Sequence, residues 1–377
     1  MARIAILYAS VGTGHTSAAK ALCTWWGREY PDTEILCCDI LDYASTWVRR
    51  SVVGSYLAMA RRYPWLWQRL YRDTDSAIGP LRTFWNGLHG SFSGMYVSRL
   101  VSDLEAFAPA AAVTTHFMAM PTLLERWEGN VPLYFVDTDF GSHTVQRDPR
   151  FAGWFVAGDE SARQHRADGL PMADVAVKNL GIPIDPTYAD MPRRTDARRK
   201  LGIEPEVPTI LVSGGGIGAG PIEEVADSMI DCASWRVEVV CGSNGSLYEH
   251  LRDKFYPFRH IGVSGFVENM PDYYAASDVA IIKPGGLSSA EATAAGAAIL
   301  LIDPLYGLER YNSDYLLEHG AARVVQETRL AGEQVGELLS EPETLEALRR
   351  RAKSIAKPYA ARDIAGVVMA DLQRRRG

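Results

Sequence analysis

Short apolar runs rich in β-branched residues recur along this 377-residue chain, separated by longer stretches with helical spacing. The first half carries RIAILYA, TEILCCDI, AAAVTTH, VPLYFVDT and GWFVAG; the second carries TILVSGG, RVEVVCG, RHIGVSG, VAIIKPGG and AAILLID. Such alternation is the signature of parallel sheets built from βα units. Two series predict two doubly wound α/β domains. Between them IDPTYADMPRRTDARRKLGIEPEVP, rich in Pro, charge and turn residues, reads as a connector, with room for a short helix in ARRKLGI. The boundary falls near residue 188, giving domains 1–187 and 188–357. The last stretch is helical in pattern except at Pro358, whose ring breaks a helix interior. Residues 358–377 are thus a separate helix, for which packing back on the N-terminal domain is one arrangement.

Composition narrows the class. Hydrophobic residues make up 47% and charged residues 23%, the balance of a globular protein, and no stretch approaches the roughly 20 apolar residues of a spanning helix. The opening MARIAILYAS runs into a glycine-rich turn rather than a cleavage site, so it reads as a buried first strand. Five cysteines with no CxxC spacing indicate neither a disulfide framework nor a zinc site, and suit reduced thiols in the cytoplasm. A net charge of -7 argues against general nucleic-acid binding.

Residues 45–90 depart from that average. Seven arginines face two aspartates there, a net of +5, and four of the nine tryptophans, Trp47, Trp65, Trp67 and Trp85, fall in the same stretch. Arginines such as Arg61, Arg62, Arg69 and Arg72 mixed with tryptophan on a helical pattern suit the interfacial layer of an anionic membrane. A helical hairpin with buried tryptophans and solvated arginines is the structural alternative.

Three glycine-rich turns carry the candidate chemistry. SVGTGHTSAAKAL follows the first strand, where small residues let backbone N–H groups approach an anion, and His15 lies at a helix N-terminus that favours its neutral, proton-accepting form. No P-loop lysine follows, and a purely structural histidine is the alternative. TILVSGGGIGAGPIEEVADSM forms a second turn, able to cradle a diphosphate or simply to pack a helix closely on a strand. VAIIKPGGLSSAEATAAGAAILL forms a third, with Ser288 and Ser289 at capping positions and Glu291 in the first helical turn. That carboxylate can complement the helix dipole or accept hydrogen bonds from a ribose diol.

Taken in order, VGTGHTSAAKAL, GGGIGAGP, GFVENM, KPGGLSSAEA and GLERYN resemble the corresponding motifs of the monogalactosyldiacylglycerol synthase and processive diacylglycerol glucosyltransferase family. The resemblance runs from residue 4 to about residue 325. It implies a GT-B fold: two Rossmann-like doubly wound domains facing a central cleft. It puts uridine against Gly265, Phe266 and Val267, the ribose on Glu291, and the phosphates on Gly215, Gly216, Gly286, Leu287 and Ser288. Glu309 and Asn312 would face the donor hexose. Two departures stand out: a looser first turn, Val11-Gly12-Thr13-Gly14, and Leu308 where the family carries glutamine, which puts the identity of the hexose in question.

The implied activity is hexosyl transfer from a UDP-sugar to a lipid acceptor, diacylglycerol or a glycosyldiacylglycerol, by an enzyme held peripherally at the inner face of the membrane. His15 and Asp139 are the candidates for taking the acceptor proton, because each closes a strand of the N-terminal sheet. His116 and His143 lie near similar strand ends. DTD at 137–139 also spells a metal-binding DxD, but glycine loops and helix N-termini can neutralise a diphosphate without metal, so no metal or cofactor is expected. A soluble UDP-sugar-dependent transferase acting on a small molecule or glycan, a nucleotide-sugar 2-epimerase, and a sugar-nucleotide-binding protein without turnover are the rival readings.

Overall fold

The computed structural model describes residues 2–46, 49, 97–127, 129–143, 146–167, 177–302 and 307–376. It divides into two compact units. The first comprises Met1–Asp185, Leu305–Tyr311 and Tyr359–Gly377; the second comprises Pro186–Pro304 and Asn312–Pro358.

The first unit is built on β1 (Arg3–Tyr8), α1 (Thr13–Glu29), β2 (Glu34–Asp39), β3 (Ala111–Thr114), α2 (Met120–Trp127), β4 (Leu133–Val136), β5 (Gly153–Val156), α3 (Asp159–Ala167) and β6 (Val177–Asn179). Its strands form one parallel sheet in the order β2-β1-β3-β4-β5-β6. Ile4, Ala5, Ile6 and Leu7 of β1 are all fully buried, because a central parallel strand is covered on both faces and needs an unbroken apolar run. On one face lie Leu104, Leu123, Phe135 and Trp154, joined in a single core cluster. Helix α1 buries Ala18, Leu22, Trp25 and Trp26.

The second unit contains α4 (Arg194–Leu201), β7 (Thr209–Ser213), α5 (Ile222–Asp227), β8 (Arg236–Val240), α6 (Gly245–Phe255), β9 (Ile261–Ser264), α7 (Met270–Ala276), β10 (Val279–Ile282), α8 (Gly286–Ala295), β11 (Ala298–Leu301), most of α9 (Leu308–Glu318), β12 (Ala322–Val324), α10 (Ala331–Ser340) and α11 (Pro342–Ile355). Its parallel sheet runs β12-β11-β10-β7-β8-β9. The last helix, α12 (Ala360–Arg376), returns to the first unit, where it lies on α1 and Asp371 accepts a 2.5 Å hydrogen bond from the Tyr134 hydroxyl. The chain leaves α11 and enters α12 across residues 356–359, around Pro358.

Each of the ten apolar runs holds a strand. The sequence reading lacked β6 and β12, which are three residues long and lie at sheet edges, where all of VKN and ARV except Ala322 is half-buried or exposed and neither shows an apolar run. A second difference concerns α8. It begins at Gly286 after an extended Gly285 that serves as N-cap with no side-chain cap bond, so Glu291 sits in the second turn and Ser288 and Ser289 do not cap. An N-cap at Ser288 would start the helix at Ser289, so the extended Gly285 starts it three residues earlier.

These two sheet orders locate the sites. In each sheet the chain starts in the interior and builds outward in both directions, and in such sheets ligands gather beyond the carboxyl ends of the strands where the winding reverses. In the first unit that point lies between β1 and β3; in the second it lies between β7 and β10.

Candidate active site

His15 is the third residue of α1, directly after the β1 turn. Gly12 caps the helix without a side-chain bond, and no acidic residue occupies the first turn, so the positive end of the dipole is uncompensated. His15 Nδ1 lies 2.6 Å from the Thr115 carbonyl, to which it donates, and 3.2 Å from Thr138 Oγ1. With Nδ1 carrying the proton, Nε2 keeps its lone pair and can accept one. Burial lowers the imidazole to about 4, against the opposing pull of the Thr115 carbonyl, so His15 is neutral at physiological pH. His116, at the end of β3, meets the His15 ring edge-on at 4.6 Å. Its Nδ1 accepts from the Met118 amide at 3.0 Å, which puts the neutral-form proton on Nε2.

Asp139 lies on the turn after β4, next to Thr138, and is partly exposed. Asp137 does not share that space. Its side chain is 2% exposed, and its Oδ1 accepts from Ser142 Oγ at 3.4 Å inside the fold. A metal bridging the DxD pair needs both carboxylates directed at one point, and Asp137 is turned inward. His143 is buried as well, and its backbone amide donates to Gln146 Oε1 at 2.8 Å.

In the second unit the glycine turns meet. Gly215 has φ +70°, a left-handed conformation that admits it beside Ser288, whose Oγ would lie 3.5 Å from a Cβ added there. Gly218, at φ +57°, packs against the Cys241 carbonyl so closely that any side chain would collide with backbone. The turn is closed by Gly218 N to Gly215 O at 3.0 Å and Ala219 N to Gly214 O at 3.1 Å, and by Ser243 N to Gly216 O at 2.9 Å from the neighbouring strand end. Gly215, Gly216, Gly286, Leu287 and Ser288 therefore lie around the start of an uncapped helix, a setting that suits phosphate oxygens.

After β9, Gly265 and Val267 flank Phe266, whose ring is 64% exposed. A phenyl ring left that open at a sheet's carboxyl edge offers a stacking face for a base. Glu291 is partly exposed on α8, and its charge, after burial as the main cause, raises the Tyr274 hydroxyl well above its ordinary range. Glu291 is a turn beyond the helix start, where it complements the dipole only weakly. Asn312 is fully buried and donates to the Pro284 carbonyl at 3.0 Å, bracing the KPGG turn, while Glu309 belongs to the first unit. Lys283, on the same turn, is 5% exposed. Only its place in the KPGG motif had signalled it. Trp47, Arg61, Arg62, Trp65, Trp67, Arg69, Arg72 and Trp85 lie outside the described residues. Among the described residues, no helix is long and apolar enough to cross a membrane.

Two doubly wound units with glycine-rich turns at their switch points make up the GT-B fold. The structure of the Phytolacca americana enzyme UGT2 in complex with UDP-2fluoro-glucose and pterostilbene shares this fold, with a TM-score of 0.64 at 12% identity over 99% of this chain and 100% of that one. Residues 15–184 match the monogalactosyldiacylglycerol (MGDG) synthase family model, and residues 209–365 match the C-terminal domain of glycosyltransferase family 28. A processive diacylglycerol beta-glucosyltransferase of Bacillus pumilus (strain SAFR-032) is 26% identical over 370 residues, 96% of this chain and 93% of its own. The chloroplastic monogalactosyldiacylglycerol synthase 1 of Arabidopsis thaliana is 24% identical over 375 residues, 95% of this chain and 69% of its own. Over nearly its full length the chain is similar to monogalactosyldiacylglycerol synthases and processive diacylglycerol glucosyltransferases.

Proposed function

We propose that this enzyme transfers a hexosyl group from a UDP-sugar to diacylglycerol or a glycosyldiacylglycerol at an anionic membrane surface. The observation that carries the reading is the tautomer of His15. Its Nδ1 is committed to the Thr115 carbonyl, which leaves a neutral Nε2 free to take a proton from an acceptor hydroxyl. Asp139, on the adjoining turn, is the other candidate base. In the second unit Phe266 stacks the uracil, Glu291 holds the ribose diol, and the turns at 214–220 and 285–288 hold the diphosphate. These backbone amides and the α8 dipole stabilise the departing charge with no metal required. Glu309 addresses the hexose, with Asn312 holding the turn behind the phosphates.

The acceptor reading draws on the relatives' names and on the arginine-tryptophan stretch at 45–90. Lys or Arg near an anionic surface contributes about 1 kcal/mol each, screened by salt, whereas interfacial tryptophan does not depend on salt. The relatives differ in their hexose, so the donor is decided by assay. Purified enzyme given labelled UDP-glucose, UDP-galactose or UDP-glucuronate, with and without diacylglycerol liposomes and with EDTA, should produce glycolipid from one donor only when liposomes are present. EDTA should leave the rate unchanged. Transfer to a soluble acceptor with none to liposomes would refute the lipid reading, and loss of activity in EDTA would refute the metal-free one. Liposome cosedimentation should rise with phosphatidylglycerol, fall with sodium chloride, and weaken when Arg61, Arg62, Arg69 and Arg72 become Gln.

A further inference from the structure

The turn at 137–143 is polar in sequence and yet buried at every position except Asp139, which alone among its residues is partly open. A turn of this composition stays inside only when its polar groups find partners. The Asp137 amide donates to the Phe155 carbonyl at 2.9 Å, and Ser161 on α3 donates to the Phe140 carbonyl at 2.8 Å. Beneath them, Ser142 Oγ lies 2.9 Å from His165 Nε2 and 3.4 Å from both Asp137 Oδ1 and Gln146 Oε1, the latter already accepting from the His143 amide, with Asp137 Oδ2 4.0 Å from the same imidazole nitrogen. His165 is fully buried and lies against Trp154, ring centroids 5.5 Å apart.

Two atoms of this set, Asp137 Oδ2 and His165 Nδ1, have no hydrogen-bond partner among the described residues. A bare carboxylate oxygen in the interior is far more costly than a neutral acid, and an unpaired imidazole acceptor is less costly than an unpaired imidazolium donor. The arrangement of lowest energy is therefore uncharged. His165 Nε2–H donates to Ser142, Ser142 donates to Asp137 Oδ1, and Asp137 keeps its proton. Burial, opposed by the Ser142 hydrogen bond and the Arg147 charge and aided by the Asp139 charge, pushes Asp137 well up, while burial and then Arg147 bring His165 down to about 3.

We propose that Asp137, Ser142 and His165 are positioning residues, a buried clasp that holds this turn inside and directs the one remaining carboxylate, Asp139, outward. The proposal rests on the reading of Asp139 as a group that addresses the acceptor. Displacing such a group by about 1 Å costs up to about a hundredfold in rate, so a clasp acts on turnover and not on donor binding.

The test compares Asp139→Asn, Asp137→Asn, His165→Ala and His165→Gln in kcat, in UDP affinity by calorimetry, and in thermal unfolding at pH 4 and pH 7. His165→Ala should lower kcat about tenfold or more with UDP affinity unchanged, and His165→Gln, whose amide can still donate to Ser142, should recover most of it. Asp137→Asn, which imitates the protonated acid, should keep kcat within about threefold. It should also raise stability more at pH 7 than at pH 4. With its folded pKa raised, Asp137 contributes fully only below the unfolded value of about 3.9, and that contribution is lost as pH rises. Damage from Asp137→Asn as large as from Asp139→Asn, or a folded His165→Ala with full kcat, would overturn the clasp. Where His165→Ala does not fold, Asp137→Asn decides. Full activity in Asp139→Asn would instead remove the reading of Asp139, a result that the unfolding comparison at residue 137 does not share.

Discussion

The carboxyl edges of the two sheets are built on one plan and filled with opposite chemistry. At the β1, β3 and β4 ends stand side chains that can hold a proton, His15, His116 and Asp139, the two histidines fixed by hydrogen bonds and by the contact of their rings. At the β7 and β10 ends stand glycines, whose turns are closed by their own backbone hydrogen bonds beside the start of α8. The difference follows from the work proposed for each edge. A diphosphate is large, anionic and the same in every UDP-sugar, so it is best met by several amides that close approach alone can supply. Removing a proton needs a single group of set tautomer and position.

If that division is right, substitutions at the two edges affect different observables. The largest effect is expected at the first edge. His15→Ala or Asp139→Asn, whichever residue takes the proton, should lower turnover by about a hundredfold or more while UDP affinity stays nearly intact. Full activity in both would break the comparison at its centre.

The glycines give a paired test of intermediate size. Gly218→Ala adds a Cβ at φ +57° against the Cys241 carbonyl and should weaken UDP binding by about tenfold while lowering the melting temperature. Gly141→Ala places a Cβ 2.7 Å from the Tyr311 ring, in the turn that carries Asp139, and should reduce kcat by roughly threefold to tenfold with UDP affinity unchanged. Calorimetry and steady-state kinetics on both variants would show whether the two losses separate.

Glu291→Ala should raise the UDP dissociation constant about tenfold, the range expected for hydrogen bonds to a charged group. Unchanged affinity would remove Glu291 from the donor site.

The smallest expected effect is a shift in pH profile. His15, lowered to about 4 mainly by burial, stays neutral and able to accept a proton well below the pH at which a free histidine becomes charged. Should His15 be the base, the acid limb of kcat/KM falls near pH 4; a limb near 6.5 would point to a different group or a more open site. Stability carries the same sign. A histidine whose folded pKa is lowered contributes fully above about 6.5 and loses that contribution as pH falls through the folded value, so His15 and His165 both favour unfolding in acid.

Much of this was legible in the chain itself. Ten largely apolar runs announced ten strands, most clearly where a strand such as β1 is covered on both faces, and glycines announced their turns because they readily accept φ values such as those of Gly215 and Gly218. The edge strands β6 and β12 were not legible, since three half-exposed residues are held by pairing with a neighbour and not by their own pattern. The start of α8 was read at least three residues late because an extended glycine leaves no side-chain signal. Most of all, DTD reads as one motif in sequence. Only the packing of α3 and its His165 beneath the turn separates the two aspartates, burying Asp137 and leaving Asp139 partly open. Sequence determines which residues are apolar, flexible or ionisable at each position; which of two equal side chains becomes buried is decided by elements that meet only once the chain has folded.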